Sequence, residues 1–440
     1  MTKQEILSKC KELDIRFIRL QFTDILGVVK NLAIPVSQLE RALNEEIVFD
    51  GSSIEGFTRV EESDMILKPD LDTFTIFPWR PREGGVARLI CDIYTPEGQP
   101  FEGDPRYVLK KAIREAADMG YSINIGPECE FFLFKLDEKG NPTTISHDKG
   151  GYFDLSPNDL GENTRREIIL TLEEMGFEIE ASHHEVSPGQ HEIKFKYSDP
   201  LETADRVTTL KFVTRIIAQR NNLHATFMPK PIFGINGSGM HVHLSLFKNG
   251  QNAFYDPNRP HQISEEARYF IGGVLKHIKG ITAITNPLVN SYKRLVPGYE
   301  APVFQTWSVS NRTALIRVPA GRGNNTRIEI RNPDSCCNPY LAFSLIIRAG
   351  LDGIMNKIVP TEPVDKNVYL MTPAERALDN ISNLPSSLSE ALGEFEKSEL
   401  CLNTLGQHIF YHFLEAKQIE WEVYKSQIHQ WEIDQYLGVF

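Results

Sequence analysis

The nine residues Gly126-Pro-Glu-Cys-Glu-Phe-Phe-Leu-Phe134 constrain this chain more tightly than any other stretch. Side chains of an extended strand alternate between faces, so Glu128 and Glu130 share one face while Cys129, Phe131 and Leu133 take the other. The apolar face requires a core. The acidic face sets two carboxylates side by side, and they repel unless a cation lies between them or water screens them. A solvated edge strand and a metal site both satisfy this pattern, and the segment alone leaves the two readings open.

The same period-two logic applies elsewhere. In Arg327-Ile-Glu-Ile-Arg331, Arg327, Glu329 and Arg331 face one way, and Ile328 and Ile330 the other. For an isolated strand an exposed, salt-bridged row is the simpler reading. In Asn236-Gly-Ser-Gly-Met-His-Val-His-Leu-Ser245 the glycines allow a ligand close to the backbone, and His241, His243 and Ser245 share a strand face. The segment is neither a Walker A sequence nor a GxGxxG fingerprint. In His183-His-Glu-Val-Ser-Pro-Gly-Gln-His-Glu192 a turn at Pro188-Gly189 would fold Glu192 back toward Glu185. There is no HExxH spacing, and hydrogen-bonded structural roles suffice for His183, His184 and His191. Taken together, Glu128, Glu130, Glu185, Glu192 and Glu329, with His241, fall in several separate segments of one domain. Oxygen-rich ligation with a single imidazole suits Mg²⁺ or Mn²⁺ rather than zinc. Arg294, Arg312, Arg317, Arg327 and Arg331 suit carboxylate and phosphate recognition, and magnesium with arginines is the recurring equipment of phosphoryl transfer.

The chain has 440 residues, too many for one ordinary core. Residues 16–34 alternate as two strands about a turn near Asp24–Gly27, and Leu71–Phe77 and Val86–Tyr94 are further strand candidates. Pro96-Glu-Gly-Gln-Pro-Phe-Glu-Gly-Asp-Pro105 is punctuated by Pro and Gly and reads as a domain boundary, so the expected domains are 1–100 and 104–440. Asp104 and Pro105 start a helix that ends at Gly120. Beyond it, strands are expected at Ser122–Phe134, Glu192–Tyr197, His224–Met228, Met240–Phe247 and Thr326–Asn332. Helices are expected at 162–175, 200–221, 264–280, 338–356 and 405–428. This order has no regular βαβ period, and the class is α+β. The net charge of −12 argues against a nucleic-acid partner. No apolar run reaches membrane-spanning length, since Leu341–Ile347 stops at Arg348. The N-terminal residues lack a signal-peptide pattern; Thr2 and Glu5 read instead as a capping box. Six scattered cysteines without a CxxC pair fit reduced thiols and a cytoplasmic location.

Four ordered motifs resemble type I glutamine synthetases of bacteria and archaea. They are Asp50-Gly-Ser-Ser53, Gly126-Pro-Glu-Cys-Glu130, Asn236-Gly-Ser-Gly-Met-His241 and Asn290-Ser-Tyr-Lys-Arg-Leu-Val-Pro-Gly-Tyr-Glu-Ala-Pro302. The resemblance spans essentially the whole chain. It implies a small N-terminal β-grasp domain, then a large catalytic domain with a curved antiparallel sheet flanked by helices. It further implies a homo-dodecamer of two stacked hexameric rings with active sites between subunits. The activity it implies is ATP-dependent ligation of ammonia to L-glutamate through γ-glutamyl phosphate. The rival of the same fold is a ligase joining glutamate to a polyamine; Asp50 and the segment around Glu300 favour ammonia.

Carried over by position, the resemblance places one metal on Glu130, Glu185 and Glu192 and another on Glu128, His241 and Glu329, within a set of two or three Mg²⁺ or Mn²⁺ per subunit. Five carboxylates against two divalent ions leave a nearly neutral cage. Glutamate would meet Asn236, Gly237, Arg294, Glu300, Arg312 and Arg331. ATP would meet Glu180, His243, Ser245, Arg312, Arg317 and Arg327. Asp50, entering from the neighbouring subunit, resembles the base that deprotonates ammonium; Glu300 lies in a flap, and Arg312 would sit at the transferring phosphoryl group. The chain resembles the shorter subtype, which lacks the insertion associated with adenylylation near Tyr369 and is inhibited by glutamine through an arginine matching Arg59. Cys129, Cys336-Cys337 and the loop Gly321-Arg-Gly-Asn-Asn325 depart from the usual family pattern, and no lysine is assigned to ATP.

Overall fold

The computed structural model describes residues 1–52, 54, 56, 64–80 and 83–440. Arg59, the expected regulatory residue, lies outside them. The N-terminal part contains α1 (Lys3–Glu12), β1 (Ile15–Thr23), β2 (Val29–Pro35), α2 (Leu39–Leu43), β3 (Val48–Asp50), β4 (Asp64–Ile76) and β5 (Gly85–Tyr94). Thr2 and Glu5 do form a capping box at the start of α1. The strands make a five-stranded sheet of order β2-β1-β5-β4-β3 in which only the β1–β5 pair is parallel. Its core is built from Ile18, Leu20, Leu67, Leu89 and Ile93, closed by Ile6 of α1.

The larger part begins with α3 (Pro105–Asp118), β6 (Ser122–Leu136), β7 (Pro142–Ser146), α4 (Glu162–Glu174), β8 (Ile179–His184), β9 (Gln190–Phe195), α5 (Pro200–Arg220), β10 (Leu223–Thr226) and β11 (Met240–Lys248). It continues with β12 (Gln251–Asn252), α6 (Glu265–Thr285), α7 (Ser291–Arg294), β13 (Trp307–Ser308), β14 (Ile316–Arg317), β15 (Ile328–Ile330), α8 (Pro339–Met355), α9 (Pro373–Leu378), α10 (Leu388–Glu396), α11 (Glu399–Lys425) and α12 (Gln430–Tyr436). A ten-stranded sheet runs β13-β14-β15-β11-β6-β9-β8, with β7 and β10 also on β6 and β12 on β11. Every pair is antiparallel except β13–β14, so the sheet is mixed. Cys129, Phe131 and Leu133 of β6, Met240, Val242 and Leu244 of β11, and Ile328 and Ile330 of β15 point into one core beneath α5, α6 and α8. The helix expected at 405–428 begins at the break in α11, where Gly406 is non-helical (φ 78°); a first helical stretch from Glu399, not expected from the sequence, precedes it. It also ends α6 five residues short of Thr285, since Ile281, Ala283 and Ile284 extend the same buried face.

A buried charge cluster locks the two sheets together. The Arg106 guanidinium donates to both Asp205 oxygens (3.1 and 2.9 Å), to Asp92 (2.7 Å) and to Asp70 (2.7 Å). Asp70 and Asp92 belong to the small sheet, while Asp205 lies on α5. Asp104 caps α3 by accepting the Arg106 N–H (2.9 Å) and also accepts the Ile93 N–H (3.0 Å). Nearby, Asn338 donates to the Asp24 carbonyl (3.0 Å). Gly27 (φ 83°) passes so close that a Cβ would stand 3.0 Å from the Asn338 Cα, which leaves room only for glycine.

Candidate active site

Strand register brings the predicted ligands together. Glu128 on β6 lies opposite His241 on β11, and Glu130 lies opposite Glu192 on β9. Glu329 on β15 pairs with His243 on one side and Arg317 on the other. The Pro188-Gly189 turn returns β9 along β8. Two groups of potential ligand atoms result, each within 4.8 Å of one another: Glu128, His241 and Glu329; and His183, Glu185 and Glu192.

The first group is rich in cations. Glu329, only 1% exposed, meets Arg331 Nη1 at 2.5 Å and the Nε of Arg317. Burial opposes its ionisation, but His241, Arg331, His243 and Arg317 hold its carboxyl down at about 2. Glu128 is reached by Lys194, by His241 Nδ1 (3.4 Å) and by His243 Nε2 (3.0 Å). Burial opposes ionisation there too, and the two histidines outweigh it and keep the carboxyl well below its usual range.

In the second group the partner, among the described residues, is His183, with Nε2 2.7 Å from Glu185 and Nδ1 4.0 Å from Glu192. Burial first, and then the charges of Glu128, Glu130 and Glu185, push the Glu192 carboxyl up to about 9. Glu130 accepts the Gly239 N–H (2.9 Å) and a Gln190 Nε2–H (3.1 Å), yet burial and Glu185 raise it to about 7. Glu185 and Glu192, with ligand atoms within 4.8 Å of one another and of His183, and half-buried Glu130 opposite Glu192 on β6 make a donor set fitted to a hard divalent cation, although Glu130 stands outside the converging group.

Two cavities flank these groups. One of about 210 Å³ is lined by Glu180, His243, Ser245 and Arg327, joined by Phe195, Tyr197 and Asn325. Four of the six residues expected at ATP therefore share one cleft. Arg327 Nε donates to His243 Nδ1 (3.2 Å). The other cavity, about 40 Å³, is lined by Asn236, Gly237, Arg294, Glu300 and Arg331 together with Glu130, Glu185 and His241. Arg294 is anchored by donating to the carbonyls of Asn332 (2.7 Å) and Arg331 (3.1 Å). Glu300 holds a left-handed backbone (φ 56°) and accepts from Asn236 Nδ2 (3.3 Å).

Arg317 sits with Glu329 rather than lining the larger cleft. Arg312 is exposed and lines neither cavity; its charge acts on the hydroxyl of Tyr152. Asp50 is exposed at the end of β3, where Ser52 hydrogen bonds lower its pKa, and among the described residues it touches no member of either group. One reading of the isolated segments needs correction. The Arg327–Arg331 row is not a solvated face, because Glu329 and Arg331 are buried by neighbouring strands. His183 is hydrogen-bonded as expected, its Nε2 lying 2.7 Å from Glu185, and it also falls in the second ligand group. Sequence reasoning also missed Lys194 and Gln190. Alternation could have found both, since Gln190 and Lys194 lie two residues before and after Glu192 on the same strand.

This α+β architecture, with acidic ligand clusters beside a polar cleft and an arginine-walled pocket, defines a divalent-metal-dependent enzyme. The descriptions "Glutamine synthetase, beta-Grasp domain" and "Glutamine synthetase, catalytic domain" match residues 14–96 and 102–436. The chain belongs to the glutamine synthetase family. A glutamine synthetase of Clostridium saccharobutylicum is 59% identical over 439 residues, covering 100% of this chain and 99% of the relative. One from Methanosarcina mazei is 58% identical, covering 100% and 98%. Among solved structures, one titled "GmaS/ADP complex-Conformation 1" superposes with a TM-score of 0.89 at 33% identity, covering 98% of this chain and 99% of that one. A Plasmodium falciparum glutamine synthetase superposes with a TM-score of 0.87 at 27% identity, covering 99% of each.

Proposed function

We propose that this protein joins ammonia to the side-chain carboxylate of L-glutamate, using ATP and forming γ-glutamyl phosphate on the way to glutamine, ADP and phosphate. The observation that carries this reading is the adjacency of the two cavities across the Glu128–His241–Glu329 group. Glu130, Glu185 and Glu192 would hold one Mg²⁺ or Mn²⁺, and Glu128, His241 and Glu329 another, with His183 beside the first. When bound, the ions supply positive charge where the phosphoryl oxygens accumulate negative charge.

The chain's own groups do the rest. The larger cleft, with Glu180, His243, Ser245 and Arg327, receives the nucleotide; the structural relative described with ADP supports that role. Arg294, Arg331, Asn236 and Gly237 hold and orient glutamate. Arg317 and the exposed Arg312 neutralise the transferring group. Glu300 covers the pocket and excludes water from the acyl phosphate. Asp50 removes the proton of ammonium. Because a base must reach its proton, and Asp50 stands apart from both clusters within one chain, we assign it to the neighbour's site in a dodecamer. Exposed Trp431, Leu437 and Phe440 at the C-terminal end suit burial between subunits. A cytoplasmic location and glutamine inhibition through Arg59, to be read by comparing inhibition of Arg59→Ala with the parent, belong to the same proposal. Tyr369 is engaged, its hydroxyl donating to the Ala301 carbonyl.

The direct test offers ammonium, methylamine and polyamines with glutamate and ATP, and follows phosphate release. Ammonium should be preferred; an amine preferred over it would overturn the reading. For the shared site, mixed oligomers of Asp50→Ala and Glu329→Ala chains should regain activity that neither has alone. Mixed rings as inactive as both parents would refute it.

A further inference from the structure

Lys230 is a buried cation outside both ligand groups. It lies in Met228-Pro-Lys-Pro231, between β10 and β11, where Pro229 fixes its own φ and Pro231 keeps Lys230 extended. Asn290, at the start of α7, grips the main chain there. The Lys230 N–H donates to Asn290 Oδ1 (2.8 Å), and Asn290 Nδ2 donates to the Lys230 carbonyl (3.0 Å). The Ser238 N–H donates to the Pro229 carbonyl (2.8 Å) and closes the loop. Gly237 passes so near that carbonyl that a Cβ would stand 2.1 Å from its oxygen. The root of the lysine is therefore fixed on the loop that carries Asn236 and Gly237.

Among the described residues the ammonium has no carboxylate in ion-pair contact. Burial, and then the charge of Arg294, push its pKa down, so the charge is kept at a cost. Its contacts are specific. Nζ donates to the Ile235 carbonyl and stands 3.7 Å from the centroid of the Tyr299 ring. Ile235 precedes Asn236, and Tyr299 precedes Glu300. One ammonium thus joins the residues just before the two partners of the Asn236–Glu300 hydrogen bond (3.3 Å).

The segment bearing Tyr299 and Glu300 needs such a hold. Among the described residues no hydrogen bond reaches the main chain of 297–300. Gly298 (φ 94°) and Glu300 (φ 56°) flank Tyr299 in left-handed backbone, which a non-glycine residue keeps only where its surroundings impose it. Pro297, Gly298 and Glu300 are exposed, whereas Tyr299 is half-buried and lines the smaller cavity. The polar contacts that hold the segment are the Tyr299 ring on Lys230 and the Glu300 carboxylate on Asn236.

We propose that Lys230 is a positioning residue: its ammonium, seated on the Tyr299 ring, holds Glu300 beside Asn236 over the glutamate pocket. A cation is attracted to the negative face of an aromatic ring, more strongly where water is excluded. Tyr299 can lift away without leaving an anion unpaired, so the contact suits a segment that admits glutamate and then closes. The proposal rests on the glutamate pocket and on the covering role given to Glu300 above.

Two measurements on the full-length protein test it. The first reads the contact and not the reaction: chymotrypsin cleavage after Tyr299, timed under native conditions and located by mass spectrometry. Lys230→Met keeps the stem and removes the charge, and it should be cut about 10-fold faster than the parent. The second compares phosphate released from glutamate and ATP without ammonium against glutamine formed with it. A loosened Glu300 admits water to the acyl phosphate, so Lys230→Met and Tyr299→Leu should each raise that ratio about 10-fold. The double variant should be no worse than either, because both remove one contact. Equal cleavage of Lys230→Met and parent would overturn the contact. An unchanged ratio, or a double variant whose defect is the product of the two, would overturn the positioning role. If the parent forms no glutamine, the reaction assigned above is wrong, and the cleavage rate still judges the contact. Tyr299→Leu changes a side chain on an exposed segment, so the second measurement stays decisive even if Lys230→Met fails to fold.

Discussion

Two regions of this molecule bury several carboxylates, and they resolve the resulting strain differently. Between the sheets, Asp70, Asp92 and Asp205 surround Arg106, and Lys110 also reaches Asp92. Nearly every charge there finds its partner within the chain. In the catalytic sheet, half-buried Glu130 and buried Glu192 have, among the described residues, no arginine or lysine in ion-pair contact, and their carboxyls are pushed up to about 7 and about 9. The first cluster is finished by the protein; the second is finished only by cations from outside. A buried acid deprived of an internal partner is therefore a mark of function, and one closed by arginine is a mark of architecture.

The largest effect should come from breaking the finished cluster. Arg106→Ala leaves three carboxylates facing one another and should cost about 3–5 kcal/mol in chemical denaturation. Unchanged stability would show that the clamp does not hold the sheets. Next, Glu192→Ala should lower glutamine synthesis by at least about 100-fold while the secondary structure survives, because it removes a metal ligand outright, where even an outer partner costs about 10–100-fold. Full activity at low magnesium would remove Glu192 from the site. The two variants should thus separate, one losing stability and the other function. Smallest is the effect of Gln190→Ala, which frees one hydrogen bond to Glu130 and should weaken Mg²⁺ binding by about 10-fold, read by titration. Equal affinity would mean that the Gly239 N–H suffices to orient Glu130.

Much of this was legible in the sequence for a simple reason. Strand alternation is local, so the faces of Glu128 and Glu130, of His241 and His243, and of Arg327, Glu329 and Arg331 can be read from period two alone. The caps at Thr2 and Asp104 are local as well. What alternation omits is which strand lies next door. The burial of Glu329 depends on β11, which approaches from far along the chain, as well as on the nearer β14, and so the row reads as solvated in isolation. His183 joins Glu185 and Glu192 only once the turn at Gly189 folds β9 along β8. The Arg106 cluster draws on four distant segments, and nothing near Arg106 announces it. Specific roles came from resemblance to a family, because no spacing rule distinguishes a glutamate that binds metal from one that meets a lysine.

The comparison is tested most directly by the protons released when metal binds. Glu192 and Glu130 have carboxyls raised far above the unfolded value, so at pH 7 the metal-free site retains protons that a divalent ion must displace. The same shifts mean that metal-free stability declines as pH rises toward about 9, since ionisation is opposed in the folded state alone. Mg²⁺ or Mn²⁺ binding at pH 7, followed in weakly buffered solution, should therefore release about one to two protons per chain, falling toward none at pH 10, with the apparent affinity rising over the same range. Binding with no proton release at pH 7, or an affinity independent of pH, would mean that these carboxylates are already ionised and partnered, and the contrast with the Arg106 cluster would fail.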